Sequence, residues 1–130
     1  MGKASSRTVV LDAGALIAFE KGDPRMRALC REALRTGARL VVPSGVVGQV
    51  WRDGARQVVL RALLDGPTTS TPPLDRILAE AAGLLCAKAG SSDVVDASVA
   101  LVARRERATV VTSDVHDIRR LDPTLVVERI

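Results

Sequence analysis

The sequence is poor in aromatic residues. Its 130 residues include Phe19 and Trp51, with no tyrosine and no second phenylalanine or tryptophan. Proteins that hold single-stranded nucleic acid on rows of stacked aromatic rings need several such residues. If a nucleic acid is a partner of this protein, rows of aromatic rings are therefore not its main means of attachment.

Cysteine and histidine are also scarce. Cys30 and Cys86 lie far apart, inside apolar helical patterns, and fit neither a CxxC motif nor a zinc-binding spacing. We expect both to be reduced core residues of a cytosolic protein. The only histidine, His116, follows a turn and is expected to face solvent. The chain thus lacks the partner side chains that serine and cysteine hydrolases use.

Further absences narrow the class of protein. No apolar run approaches the length of a membrane span, and residues 1–7 hold no apolar segment of the signal-peptide type. Both absences favour a cytoplasmic location. The sequence also has no GxxxxGK[ST] loop and no GxGxxG motif after a strand, which argues against the common nucleotide-binding folds.

What is present is the composition of a globular domain. Hydrophobic residues make up 47% and charged residues 26% of the chain, so it can bury a core. Its length predicts one domain over residues 1–130. Arginine supplies most of the positive charge behind the net +4. These arginines either attract a polyanionic partner or solvate the surface, and charge alone does not decide between the two.

The hydrophobic pattern alternates between strands and helices. It predicts strands at 7–11, 39–42 and 109–112, and further strands within 66–73 and 123–130. It predicts helices at 13–20, 24–36, 44–54, 55–64, 74–89, 93–107 and 115–121, after a frayed start at 1–6. This alternation implies an α/β fold with a parallel sheet and helices on both faces.

Polar residues at the predicted helix starts are candidate caps. Asp23 precedes Pro24, a residue that suits the first turn of a helix. Ser44 is a candidate cap for the helix after the second strand, and Ser91 and Ser92 for the helix that begins near residue 93.

Aspartates lie where the predicted strands end. Asp12 follows the apolar run TVVL, and Asp114 follows TVVT after one residue. Asp93 and Asp96 are one helical turn apart, so their side chains share a face. In a parallel sheet the carboxyl ends of the strands meet at one edge, where sites form. Carboxylates gathered there would repel one another unless a cation lies among them.

Each of these residues also has a simpler explanation. Asp12 could cap a helix, and Asp114 could lie in a turn or cap a helix. Asp93 suits the first turn of its helix, and Asp117 suits the surface or a cap. Asp96 is harder to explain in this way, because it lies among apolar residues inside a helix. Taken together the pattern favours a metal site. Because its ligands are all oxygens, it predicts a hard cation, Mg²⁺ or Mn²⁺.

Four stretches together resemble one known family. VVLDAGALIAFE, PSGVVGQVWRDG, SDVVDASVALVARR and TVVTSD, in this order and spacing, resemble the PIN domain family and most of all the VapC toxins of bacterial toxin–antitoxin modules. The resemblance covers nearly the whole chain. It implies a three-layer α/β/α sandwich around a mostly parallel sheet of four or five strands. It also implies an acidic quartet that binds Mg²⁺ or Mn²⁺ and cuts single-stranded or looped RNA with an activated water.

The resemblance assigns roles by position. Asp12 matches the first acidic residue of the quartet, Asp96 the third and Asp114 the fourth. Asp93, one turn before Asp96, is an auxiliary acid. Thr112 matches the threonine of a TxD motif and would position Asp114 or a water molecule.

The second position of the quartet departs from the family. The family usually has a glutamate in the helix after strand two, and here the aligned residue is Gln49. Glutamine is neutral and a weaker ligand for a hard cation. Either metal affinity falls, or Gln49 holds a water molecule, or another carboxylate such as Asp53 or Glu20 compensates.

The function that follows is a metal-dependent endoribonuclease toxin with catalytic Asp12, Asp93, Asp96 and Asp114. Candidate arginines for guiding RNA are Arg52, Arg56, Arg104, Arg105 and Arg107, although a solvated helix face explains each equally well. The alternative is a PIN-fold module that binds RNA or protein without efficient catalysis, because Gln49 replaces the usual glutamate.

The resemblance also implies partners. One is a VapB-like antitoxin, whose tail would cover the groove of the toxin and place an arginine over the acids. Another is a second copy of the chain, since such toxins usually form homodimers. Ile17, Met26 and Leu29 are candidate interface residues, with core packing as the alternative for each. No membrane partner is expected.

Overall fold

Five parallel strands form one sheet in the computed structural model, which describes residues 7–130. The strands are β1 (Thr8–Leu11), β2 (Arg39–Val41), β3 (Thr69–Ser70), β4 (Thr109–Thr112) and β5 (Val127–Arg129). Their order is β3-β2-β1-β4-β5, so β1 is central and β3 and β5 are the edges. The predicted frayed start at 1–6 falls outside the described residues.

Seven helices occur in the described part of the chain. They are α1 (Ala13–Glu20), α2 (Pro24–Thr36), α3 (Ser44–Val50), α4 (Val58–Leu64), α5 (Arg76–Ala89), α6 (Val94–Glu106) and α7 (Val115–Leu121). Both α1 and α6 contact β1 and β4. Because parallel crossovers are right-handed, the helices of crossovers that run in opposite directions across the sheet cover opposite faces, and the chain reverses direction between β3 and β4. The predicted α/β/α architecture is confirmed.

The central strands are buried on both faces. Val10 and Leu11 of β1 and Val110 and Val111 of β4 are fully buried. Continuous runs of β-branched residues are typical of parallel strands that helices cover on both sides. This explains why these two strands were the clearest in the sequence. Cys30 and Cys86 are free and buried, as predicted.

The capping predictions had mixed outcomes. Asp23 caps α2 as predicted, accepting a hydrogen bond from the Met26 N–H at 3.0 Å. The prediction for Ser44 was wrong, because Pro43 is the N-cap residue and the Ser44 hydroxyl instead accepts from the Leu74 N–H at 2.9 Å. That hydrogen bond fastens the start of α3 to the segment before α5.

The cap of α6 is also different from the one predicted. Neither Ser91 nor Ser92 is the N-cap residue, since Asp93 occupies that position and accepts from the Asp96 N–H at 2.9 Å. Ser91 acts one step earlier, because its hydroxyl accepts from the Asp93 N–H at 3.1 Å. A carboxylate is the stronger acceptor at a helix N-terminus, where the helix dipole also favours negative charge.

Helix α3 is shorter than predicted. The predicted helix at 44–54 ends at Val50, and the next helix begins at Val58 rather than near residue 55. The cause is Gln57, whose side-chain oxygen accepts from the N–H groups of Arg52 and Asp53 at 2.8 and 3.0 Å. Its amide nitrogen donates to the Val50 carbonyl at 2.9 Å, which closes the loop.

No helix within residues 7–130 combines the length and the apolar character that crossing a bilayer requires.

A test of the fold comes from Arg107, which ends α6 in the left-handed conformation with φ of 54°. A side chain there is strained, and glycine is the residue that suits this position. We expect Arg107→Gly to raise the free energy of unfolding by about 1 kcal/mol in urea denaturation. The control Arg105→Gly, inside the last turn of α6, should lower it by about 1 kcal/mol. A loss of stability in both variants would contradict this account.

Candidate metal centre

Asp12 and Asp114 lie at the point where the strand order reverses. Strands β1 and β4 are neighbours, with Leu11 beside Val111, so Asp12 is level with the last residue of β4. The Asp12 N–H donates to the Val111 carbonyl at 3.4 Å. From β1 the chain first moves towards β2 and later crosses to β4, which opens a crevice at the carboxyl ends of these two strands.

Three of the aspartates cap helices as well as lining this edge. Asp12 is 6% exposed and its Oδ1 accepts from the Ala15 N–H at 2.9 Å at the start of α1. Asp93 caps α6, and Asp114 caps α7 by accepting from the Asp117 N–H at 3.3 Å. Capping and clustering are therefore not alternatives, because the caps fix these carboxylates at the same edge of the sheet.

Thr112 makes a hydrogen bond to the backbone of Asp114. It is fully buried at the end of β4, and its hydroxyl accepts from the Asp114 N–H at 2.8 Å. Gly14 is equally constrained, because a Cβ there would overlap the Ser113 hydroxyl and lie 3.5 Å from Asp12 Oδ1. The first turn of α1 thus lies directly against the residue that precedes Asp114.

Asp96 is the centre of the acidic cluster. It lies half-buried in the first turn of α6, behind the capping Asp93. Burial raises the pKa of Asp96 from its ordinary 3.8 to about 7, and the charges of Asp93, Asp12, Asp117 and Asp114 add to this effect, in that order. Four other carboxylates therefore act on Asp96, which places the predicted acids in one electrostatic neighbourhood.

The neighbouring acids respond in the same direction. Burial raises the pKa of Asp12, and the Asp114 charge adds to the rise, while Thr112 and the Ala15 N–H oppose it. The pKa of Asp117 is raised chiefly by its hydrogen bond with Asp114 and by the charge of that residue. Repulsion between carboxylates thus acts on Asp12 and Asp117 as well as on Asp96.

Asp117 and Arg120 belong to this neighbourhood but were not predicted as site residues. A small cavity of about 60 Å³ is lined by Ser91, Asp93, Asp96, Asp117, Arg120 and Leu121. The Arg120 guanidinium donates to the Ala89 carbonyl at 3.2 Å and also to that of Gly90. Asp114 and Asp117 are one helical turn apart, and this spacing was the only sequence pattern that linked Asp117 to the acids. The proximity of Asp117 to Asp96 depends on where α7 packs.

The donor set fits a hard divalent cation in chemistry and charge. Every candidate ligand is a carboxylate or another oxygen, and a cation would offset the repulsion that raises the pKa of Asp96. In the arrangement seen, however, no three His, Cys, Asp or Glu side chains within residues 7–130 lie close enough together to hold an ion. The carboxylates of this cluster would have to move closer together to share one.

Gln49 lies at the last turn of α3 and is exposed. The acids considered as substitutes are engaged elsewhere. Asp53 lies in the loop after α3, not on the helix as predicted, with its carboxylate 3.5 Å from Arg56 Nε. Glu20 accepts from the Gln57 amide at 3.3 Å.

The structure places the candidate arginines of α6 away from Asp96. Arg104 and Arg105 follow Asp96 on α6 by more than two turns, about 12 Å along the helix axis. Arg104 Nε lies 3.5 Å from the Asp122 carboxylate, and Arg105 Nε lies 3.6 Å from that of Glu106. Arg107 ends the same helix, and Arg52 donates to the carbonyls of Gly48 and Trp51 at the end of α3. His116 is exposed, as predicted.

Solved structures share this fold at low sequence identity. The VapBC2 structure of Rickettsia felis, bound to a promoter DNA fragment, matches with a TM-score of 0.69 and 18% identity over 95% of this chain and 98% of that one. VapC20 of Mycobacterium tuberculosis, a toxin that cleaves the sarcin–ricin loop, gives 0.66 and 17% over 94% and 99%. The FitAcB structure of Neisseria gonorrhoeae gives 0.60 and 19% over 92% and 95%.

Sequence comparison identifies the family directly. No curated protein matches the chain significantly. The sequence profile of the PIN domain, however, matches residues 9–122, which include all five aspartates of the cluster and four of the five strands. This chain therefore belongs to the PIN domain family.

Proposed function

We propose that this protein is a metal-dependent endoribonuclease, the toxin of a VapBC-like toxin–antitoxin module. The observation that supports this most strongly is the half-buried Asp96, on which four other carboxylates act from the ends of β1 and β4 and the starts of α6 and α7. An arrangement that costs stability and lies at the switch point of a parallel sheet is typical of a functional site.

The proposed roles follow from these positions. Asp12, Asp96 and Asp114 would hold Mg²⁺ or Mn²⁺, and Asp93 would serve as an auxiliary acid. When bound, such an ion activates a water and offsets charge on a phosphoryl transition state. Thr112 would fix the Asp114 backbone through the hydrogen bond it already makes. Asp12 is oriented by the first turn of α1, which limits where its second oxygen can point.

An antitoxin is the proposed protein partner. The solved structures with this fold include VapBC and FitAB assemblies. On this chain an apolar groove of about 380 Å³ lies between α2, α4 and β3, with Leu34 and Val59 exposed along it and Arg27 and Arg31 lining it. We propose that an apolar antitoxin tail with acidic residues occupies this groove, and that the toxin meets both antitoxin and RNA in the cytoplasm.

A homodimer is the second proposed assembly, through different residues from those expected. Met26 is fully buried and Leu29 packs partly against the core, so of the three predicted residues only Ile17, 42% exposed, is available at the surface. Helix α5 instead exposes Ile77 and Leu84, two turns apart on one face, at 80% and 74%. This face is the one we propose for contact with a second copy.

A second function is favoured by Gln49. The helix after β2 carries a neutral residue where the family usually has a glutamate, and that residue is exposed. A PIN-fold module that binds RNA or protein without efficient catalysis would have these properties. Calorimetric titration with Mn²⁺ separates the two functions, because the module would show no binding above a millimolar background.

The nuclease proposal predicts RNA cleavage by the purified protein with Mg²⁺ or Mn²⁺. Asp96→Asn should lower the rate by at least about 100-fold, since it removes a charge that the ion requires. Asp75→Asn makes the same chemical change at the exposed cap of α5 and should leave the rate unaltered. Intact RNA after incubation of the wild-type protein with several metals and several RNAs would count against a nuclease.

The raised pKa of Asp96 predicts that the metal-free protein becomes less stable as the pH rises. Below pH 3.8 this carboxyl is protonated in both the folded and the unfolded state. As the pH rises, the carboxyl ionises first in the unfolded state, so the free energy of unfolding falls until about pH 7. In EDTA, Asp96→Asn should therefore increase the free energy of unfolding at pH 8 by about 1–2 kcal/mol after solvent screening. At pH 4 the gain should be close to zero. Equal stability of the two proteins at pH 8 would show that Asp96 carries no such penalty.

Gln49→Glu tests whether the second position limits metal binding. A carboxylate there should raise Mn²⁺ affinity about tenfold or more in calorimetry, because a supporting group of the site becomes charged. Ala55→Glu adds the same charge in an exposed loop and serves as the control. If both variants bind Mn²⁺ like the wild type, residue 49 takes no part in the site.

A further inference from the structure

The aromatic ring available at the surface of residues 7–130 belongs to Trp51. Phe19, the other aromatic residue, is 8% exposed and part of the core, whereas Trp51 is half-buried directly after α3. The indole of Trp51 is therefore the aromatic surface that a ligand can reach.

Two residues hold the indole in place. The Arg61 guanidinium lies over the ring, 5.2 Å from its centroid. Gly54 approaches from the loop, and a Cβ there would be 3.0 Å from Trp51 Cζ2 and 3.5 Å from Arg61 Nη2. A side chain at residue 54 would press on the indole, so the glycine allows the loop to pack against the indole and the guanidinium, which together form a platform.

An open pocket of about 230 Å³ lies beside this platform. Its lining consists of Val47, Trp51, Arg61, Leu64 and Asp65. A flat apolar surface with a guanidinium plane is the arrangement on which unpaired bases stack. The Asp65 carboxylate disfavours a phosphate as the occupant and can instead accept hydrogen bonds from an exocyclic amine of a base.

The pocket lies beside the end of α3, and the start of α3 packs next to the acidic cluster. Gly45, in the first turn of α3, packs on α6 so closely that a Cβ there would be 3.2 Å from Val95 Cγ2. Val95 directly precedes Asp96. Trp51 follows at the other end of α3, about 9 Å along the helix axis from Gly45. A single-stranded RNA with a phosphate at the acids can therefore reach Trp51 if it follows α3.

We propose that the pocket formed by Trp51, Arg61 and Asp65 binds one unpaired base of single-stranded RNA, preferring bases that carry an exocyclic amine. The choice of RNA as the ligand rests on the proposed function, whereas the pocket itself does not. Stacking on Trp51 and Arg61 supplies affinity for any base, and Asp65 disfavours uracil, which has no exocyclic amine.

The test uses the fluorescence of Trp51, the only tryptophan of the chain. The full chain with Asp96→Asn, which prevents cleavage, is titrated with hexacytidylate, hexauridylate and an abasic hexamer of equal charge. We expect hexacytidylate to quench the emission, hexauridylate to quench it at higher concentration, and the abasic hexamer to leave it unchanged. Hexacytidylate that binds in an anisotropy assay without changing the emission would overturn the proposal. Equal affinity for the abasic hexamer would do the same.

Variants separate stacking from charge. Arg61→Gln and Arg35→Gln each remove one positive charge, but Arg35 lies outside the pocket, on α2 beside Glu32. We expect Arg61→Gln to weaken hexacytidylate binding about tenfold and Arg35→Gln by less than about threefold. Equal losses would mean that charge alone binds the strand. In the anisotropy assay, Trp51→Leu should weaken hexacytidylate binding about tenfold and Trp51→Phe much less. Circular dichroism melts check that both variants are folded.

The failure of this inference and that of the proposed function give different results. Cleavage of RNA by the wild-type protein, together with unchanged tryptophan emission, would overturn the pocket and leave the nuclease. Quenching by hexacytidylate without any cleavage by the wild-type protein would overturn the nuclease and support the base pocket in an RNA-binding module.

Discussion

Repulsion between aspartates at one edge of a parallel sheet is the constraint on which this structure depends. Asp12, Asp93 and Asp114 each receive a backbone N–H at the start of a helix, which offsets part of their cost. Asp96 caps no helix, and burial together with the surrounding charges raises its pKa to about 7. The fold is therefore less stable than it would be without these repulsions at the sheet edge. In our account the acids are arranged in this way because together they bind a divalent cation.

The topology brings about this convergence. The chain leaves the central strand β1 towards one edge and returns to β4 on the other side, so two strands end side by side in a crevice. The buried face of α6 is built largely from small residues, including Ala97, Ser98 and Ala100, so the helix can lie close to the sheet with Asp96 at its first turn. The same packing that buries the core thus places a carboxylate where burial is costly.

Much of this was predictable from the sequence, and the rest depended on contacts between distant segments. Strands β1 and β4 were predicted correctly, because buried β-branched runs leave a clear pattern, and this placed Asp12 and Asp114 just beyond the strand ends. The end of α3 was not, since it is fixed by Gln57 reaching back to Arg52 and Asp53. Asp117 was assigned to the surface because its proximity to Asp96 exists only once α7 packs against α6. The capping role of Asp93 was missed for a local reason, the competition between a carboxylate and two serines.

Helix α3 connects the two sites that we propose. Its first turn packs against α6 beside Asp96, its last turn carries Gln49, and Trp51 follows with its pocket. The acids would then cleave the RNA, and the pocket beyond α3 would bind one of its bases. The nuclease proposal requires an ion among the aspartates, whereas the base pocket does not.

Anomalous scattering from a crystal grown with Mn²⁺ tests this claim most directly. The account predicts a peak among the carboxylates of Asp12, Asp96 and Asp114. A map with no peak there at millimolar Mn²⁺, and with these carboxylates facing separate surroundings, would contradict it.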